Sequence, residues 1–176
     1  IPLMWFALCY VGYVISNLIV WRSPVDGSSG QWQVVFMCFL AAMIVTAFDL
    51  GADPYMVYQL KAWTMAKTDG WWFGETIQGF FGWVFVSFTI LIVFRLSVRS
   101  KVLKPLADFS RTNALLPLSI YASAMLFQLC VGYPMETRTM AVFAMGIPIL
   151  CALAGWQYWK TLPAADATPS PISDAR

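Results

Sequence analysis

Two aspartates, Asp49 and Asp53, stand four residues apart in the stretch TAFDLGADPYMV, where a long apolar run ends. Ionisable groups at membrane depth are costly and mark function by default. Two neighbouring carboxyls suit proton transfer. Burial raises an aspartic acid pKa and a second carboxyl raises one of the pair further, so one can serve as an acid near neutral pH. Asp53 also has a purely structural reading, because an aspartate before Pro54 suits a helix N-cap followed by its first turn. Asp49 has a weaker one, since a carboxylate near a helix C-terminus opposes the macrodipole. Glu75 precedes a helix start, where negative charge is favoured, and reads as structural. The chain has no histidine, so proton chemistry falls to carboxyls, tyrosines or lysines, and histidine-ligated haem is excluded within it.

The elements that must position these residues follow from composition. Sixty per cent of the 176 residues are apolar and 11% are charged, against roughly a quarter charged in a soluble domain. Five stretches, near 2–21, 32–50, 77–95, 114–133 and 139–159, approach or exceed the roughly 20 helical residues that cross a hydrocarbon core. Short strands of alternating polarity, the mark of an outer-membrane barrel, are absent. The expected fold is therefore all-α: a polytopic membrane protein of about five transmembrane helices and a short interfacial helix. Residues 1–162 form a single domain, and the Pro-, Ala- and Ser-rich residues 163–176 a disordered tail. The chain starts at Ile1 already within apolar sequence, so one or more further helices are expected ahead of it.

Charge asymmetry orients the bundle. The loop 96–113 and its flank, with Arg95, Arg99, Lys101, Lys104 and Arg111, share a side with Arg22, Lys160 and Arg176. Lys61, Lys67 and Arg138 lie on the other. The positive-inside rule makes the first side, with the C-terminus, cytoplasmic. The expected location is the cytoplasmic (inner) membrane of a prokaryote. A basic loop this short reports topology rather than nucleic-acid binding. The four cysteines fall inside the spans with no CxxC spacing, which argues against a zinc site or structural disulfides.

Residues 51–76 connect the second and third spans. Asp53 and Pro54 would start an amphipathic helix with Met56, Val57, Leu60 and Trp63 on one face, and KTDGWWFGE would end it in a turn. Trp63, Trp71 and Trp72 lie where aromatic rings anchor membrane interfaces. Gly79 and Gly82, three apart at the start of the third span, would admit close approach of a helix or a ligand.

AFDLGADPYMV, then Trp63, then GWWFGETIQGFFGW resembles the carotenoid biosynthesis membrane proteins that include bisanhydrobacterioruberin hydratase and related carotenoid 1',2'-hydratases. The matching positions are Phe48, Asp49, Leu50, Asp53, Met56, Val57, Trp63, Trp72, Phe73, Gly74, Phe80, Gly82 and Trp83. Thr76 stands where the pattern has Pro, and Gly79 where it has Asn. The resemblance implies addition of water across the terminal isopropylidene double bond of an acyclic carotenoid, leaving a tertiary alcohol. Asp49 would be the acid and Asp53 the water-activating base, with the reverse assignment open. Trp63, Trp72, Gly74, Phe80, Gly82 and Trp83 would line the substrate site, the aromatic faces stabilising a tertiary cation. This chemistry requires no metal and no organic cofactor. The implied partners are the carotenoid, membrane lipid and other enzymes of the same pathway, with no nucleic acid.

The residues alone leave other readings open. One is a non-catalytic carotenoid-binding subunit. Another is end-group cyclisation, which shares alkene protonation but ends in proton loss. A third is prenyl transfer, for which D-x-x-x-D is one motif of the usual two.

Overall fold

The computed structural model describes residues 2–25, 30–65, 69–99 and 110–159, with only the backbone described at Arg99. The chain is all-α, with α1 at Pro2–Trp21, α2 at Gln31–Pro54, α3 at Ile77–Arg99, α4 at Arg111–Val131 and α5 at Glu136–Tyr158. All five are long and apolar enough to cross a membrane. They match the apolar runs read from the sequence because a run of that length and composition has no stable solvated alternative. In lipid the backbone must satisfy its own polar groups within the helix. The disordered tail expected at 163–176, and most of the basic loop, with Lys101 and Lys104, lie outside the described residues.

Lipid offers no hydrophobic drive between helices, so close packing at small residues holds such bundles together. Gly12 of α1 lies against the Ala41 carbonyl of α2, and Gly155 of α5 lies against the Leu18 carbonyl of α1. Around these crossings, Val14, Ile15 and Leu18 meet Ile44, Tyr121, Met145 and Ala152 in a core built from α1, α2, α4 and α5. A second cluster joins Cys9 to Val34, Cys38 and Ala41, and to Leu91 of α3. Helix α3 flanks the bundle and leaves Phe81, Phe85, Val93 and Phe94 exposed on its outer side.

Two features depart from the sequence reading. The first is at the end of α2, where no new helix starts at Asp53. The helix runs through Pro54 and passes directly into a single π-helical turn, Tyr55–Gln59, after which residues 61–65 have no regular structure. Asp53 is thus an interior residue of α2 and caps nothing. The second is Arg95, assigned from sequence to the flank of the basic loop. It lies within α3, 4% exposed, and donates to Asn17 Oδ1 at 3.0 Å. Its guanidinium sits 4.5 Å from the Tyr13 ring centroid. Buried polar and aromatic partners on α1 make that burial tolerable.

At the same end of the bundle, Arg111 and Trp156 clasp α4 to α5. The Arg111 guanidinium donates to the Trp156 carbonyl and the Trp156 indole donates to the Arg111 carbonyl, both at 2.9 Å.

The glycine contacts predict a contrast. Gly155→Ala places a methyl group against the α1 backbone and should destabilise the protein by about 1–3 kcal/mol, seen as a lower thermal midpoint in detergent. Gly82 has nothing within 4 Å of an added Cβ, so Gly82→Ala should leave that midpoint unchanged or slightly raised.

Candidate acid cleft

Because α2 continues past residue 50, Asp49 and Asp53 occupy one face of an unbroken helix, a turn apart, where side chains meet. Their carboxyls lie within hydrogen-bonding reach of one another. An ionised carboxyl has only lone pairs to offer, so a hydrogen bond between the two requires a proton on one. Asp49 is 3% exposed, and its Oδ2 finds no donor among the described residues. It lies 18 residues along α2, about 27 Å at the helical rise, close to the far edge of a hydrocarbon core about 30 Å thick. Asp53 is less buried and faces an open cleft.

Pro54 explains how the end of α2 is tied down. Proline has no N–H, so the Leu50 carbonyl loses the bond that residue 54 would give it. The indole N–H of Trp72 donates to that carbonyl at 2.9 Å. Trp72 reaches it from a tight turn, Trp72–Glu75, closed by the Glu75 N–H donating to the Trp72 carbonyl at 2.8 Å. The turn needs positive φ at both central residues, 48° at Phe73 and 86° at Gly74. Gly74 adopts that conformation freely, and Phe73 does so at a cost. The Tyr58 hydroxyl, from the π-helical turn, donates to the Phe73 carbonyl at 2.7 Å and fixes the turn from the other side. Helix α4 supports α2 from behind, with the Tyr121 hydroxyl donating to the Ile44 carbonyl at 2.7 Å. The Gln128 amide donates to the Phe48 carbonyl at 2.8 Å, its side chain lying over Gly51.

The same turn that sends Trp72 to α2 puts Glu75 at the cleft. The cleft encloses about 470 Å³ and is lined by Asp53, Trp63, Met65, Gly74, Glu75, Thr76, Gln78, Gly79 and Trp83. Trp83 is backed by Trp5 of α1, the two ring centroids 4.6 Å apart. Glu75 lies near enough for its charge to act on both aspartates. Its carboxylate fills the space that a side chain at Gly79 would need. Partial burial pushes the Glu75 carboxyl above its ordinary pKa, and a hydrogen bond from the Thr76 backbone opposes that rise.

Of the residues singled out from sequence, Asp53, Trp63, Gly74 and Trp83 line the cleft, and Asp49 stands directly behind Asp53. Trp72, Phe80 and Gly82 do not line it. The Trp72 indole is turned to Leu50, and no helix approaches Gly82. Sequence reasoning missed Gln128, Trp5 and Met65, and it took Glu75 as structural. Gln128 carried a signal that went unused, a polar amide well inside an apolar span.

A family model described as "carotenoid biosynthesis protein" matches residues 1–153 of the chain. No curated protein and no solved structure matches it.

The Trp72–Leu50 bond predicts its own test. Trp72→Phe keeps the ring but leaves the Leu50 carbonyl without a donor, and should cost about 1–3 kcal/mol. The loss should appear as faster hydrogen exchange over residues 50–59 and 70–75, with the α1–α5 core unaffected.

Proposed function

The chain belongs to the carotenoid biosynthesis protein family, and from that premise we propose that it hydrates the terminal double bond of an acyclic carotenoid. The observation that carries this reading is the contact between Asp49 and Asp53 at the wall of a tryptophan-lined cleft. Protonating an unactivated alkene demands a carboxylic acid that still holds its proton near neutral pH. A carboxyl pair sharing one proton supplies that acid. Asp53 is the member that faces the cleft, so it delivers the proton to the inner CH carbon of the terminal double bond. Asp49, shut off behind it, holds the shared proton in place. The acid role thus moves from Asp49, first favoured from the sequence, to Asp53.

Proton transfer leaves a tertiary cation at the terminal carbon, which bears the two methyl groups. The faces of Trp63 and Trp83 offer it their negative quadrupoles, an attraction of about 2 kcal/mol or more when desolvated. Water then adds to the cation and loses a proton, giving a tertiary alcohol. The apolar outer surface of the bundle suits a substrate that arrives from the bilayer. By the positive-inside rule the cleft lies at the membrane face opposite the cytoplasm, in the cytoplasmic membrane of a prokaryote.

The test is expression in cells that accumulate an acyclic carotenoid, with mass analysis of the extracted pigment. Wild type should yield a product one water heavier. Asp53→Asn and Asp49→Asn should each lower it by about 100-fold or more, the usual scale for loss of a general acid. Pigment that co-purifies unchanged would overturn the proposal in favour of a binding subunit. A product of unchanged mass and shifted absorption would overturn it in favour of a cyclase, and diphosphate release in favour of prenyl transfer.

A further inference from the structure

We infer that Glu75 is the base that activates the attacking water, and that Gly79 is bare because the Glu75 carboxylate must lie across it. The inference rests on the hydration reading above. It starts from a geometric difficulty. The sequence alone offered Asp49 and Asp53 as acid and base, but these carboxyls are in contact. Adding water to an alkene puts hydrogen on one carbon and oxygen on the next. Acid and base must therefore stand apart, with the alkene end and a water between them, as the two carboxyls of a glycosidase that inverts through water are held apart. Two carboxyls within hydrogen-bonding reach leave no such room.

Glu75 is the remaining carboxyl at the cleft. It lines the same cleft as Asp53 but comes from the turn before α3 rather than from α2. Its seat is built in two ways. The positive-φ turn at Phe73 and Gly74 directs the chain, and Gly79 leaves the space the carboxylate fills. Thr76 and Gly79 are the two positions that depart from the pattern described from sequence; both line this cleft, and Gly79 lies under the carboxylate.

The step balances without a further reactant. The alkene π pair takes the proton from Asp53. A lone pair of water forms the C–O bond to the cation while Glu75 takes one of the water protons. Solvent exchange then returns a proton from Glu75 to the aspartate pair.

The test uses the purified full chain in detergent, given a preformed unlabelled acyclic carotenoid in heavy water, comparing wild type, Glu75→Gln and Gly79→Ala. Wild type should give the hydrated product carrying deuterium beside the new alcohol carbon. In Glu75→Gln, hydrated product should fall about 100-fold, while the recovered unhydrated carotenoid gains deuterium at its end group. The acid still protonates, and the uncaptured cation loses a proton instead. Gly79→Ala keeps the charge but displaces it, and should shift the same product ratio more mildly. Equal helical circular dichroism and thermal midpoint show that each variant is folded. Hydration by Glu75→Gln at the wild-type rate would overturn the inference. So would loss of both hydration and deuterium uptake in the folded variant, since Glu75 would then serve protonation. Absence of hydrated product from wild type would instead overturn the hydration reading itself, and this inference with it.

Discussion

The site depends on one hydrogen bond, from the Trp72 indole to the Leu50 carbonyl. Pro54 removes the backbone donor that would normally fill that carbonyl. At the edge of the hydrocarbon an unfilled carbonyl is expensive, so the helix would tend to end there. With the indole in place α2 continues through Pro54, and Asp49 and Asp53 stand on one face of a single helix. The bond also has a second end. It holds the Trp72–Glu75 turn against α2, and so sets Glu75 at the same cleft as Asp53.

The rest of the bundle keeps this arrangement rigid. Tyr121 and Gln128 of α4, two helical turns apart, each donate to a carbonyl of α2. Close crossings at Gly12 and Gly155 fix α1 between α2 and α5. The polar residues buried at the opposite end, Asn17, Arg95 and their partners, serve packing there and are remote from the acid pair. Asn17, Arg95, Tyr121 and Gln128 thus use their buried polarity to hold helices together, whereas Asp53 faces a cleft. A chain with 60% apolar residues keeps few polar groups inside, which is why each of them can be given a position.

Much of the fold was legible because helix length and apolarity are set by the bilayer and can be counted along the chain. The site was legible in part. Asp49, Asp53, Trp63, Gly74 and Trp83 stood out by type and position, and the structure brings all five to one place. What was misread turned on local rules that tertiary contacts overrode. Asp-Pro is a sound helix start in isolation, but here a distant indole replaces the lost donor and the helix runs on. Trp72 looked like a substrate-facing ring because its hydrogen-bond partner lies 22 residues away. Glu75 looked structural because its position before α3 suits a negative charge. Only the coordinates place its carboxylate over Gly79. Arg95 was counted with the loop because nothing in the sequence reveals Asn17 beside it.

The proposed addition of water to a carotenoid end rests on family membership, the carboxyl pair and the aromatic cleft. The source of the new oxygen tests that claim most directly. Purified protein in detergent, given an acyclic carotenoid in water labelled with heavy oxygen, should form a tertiary alcohol that carries the label. An alcohol bearing unlabelled oxygen, drawn from dioxygen, would contradict the account, as would recovery of the carotenoid with no oxygen added.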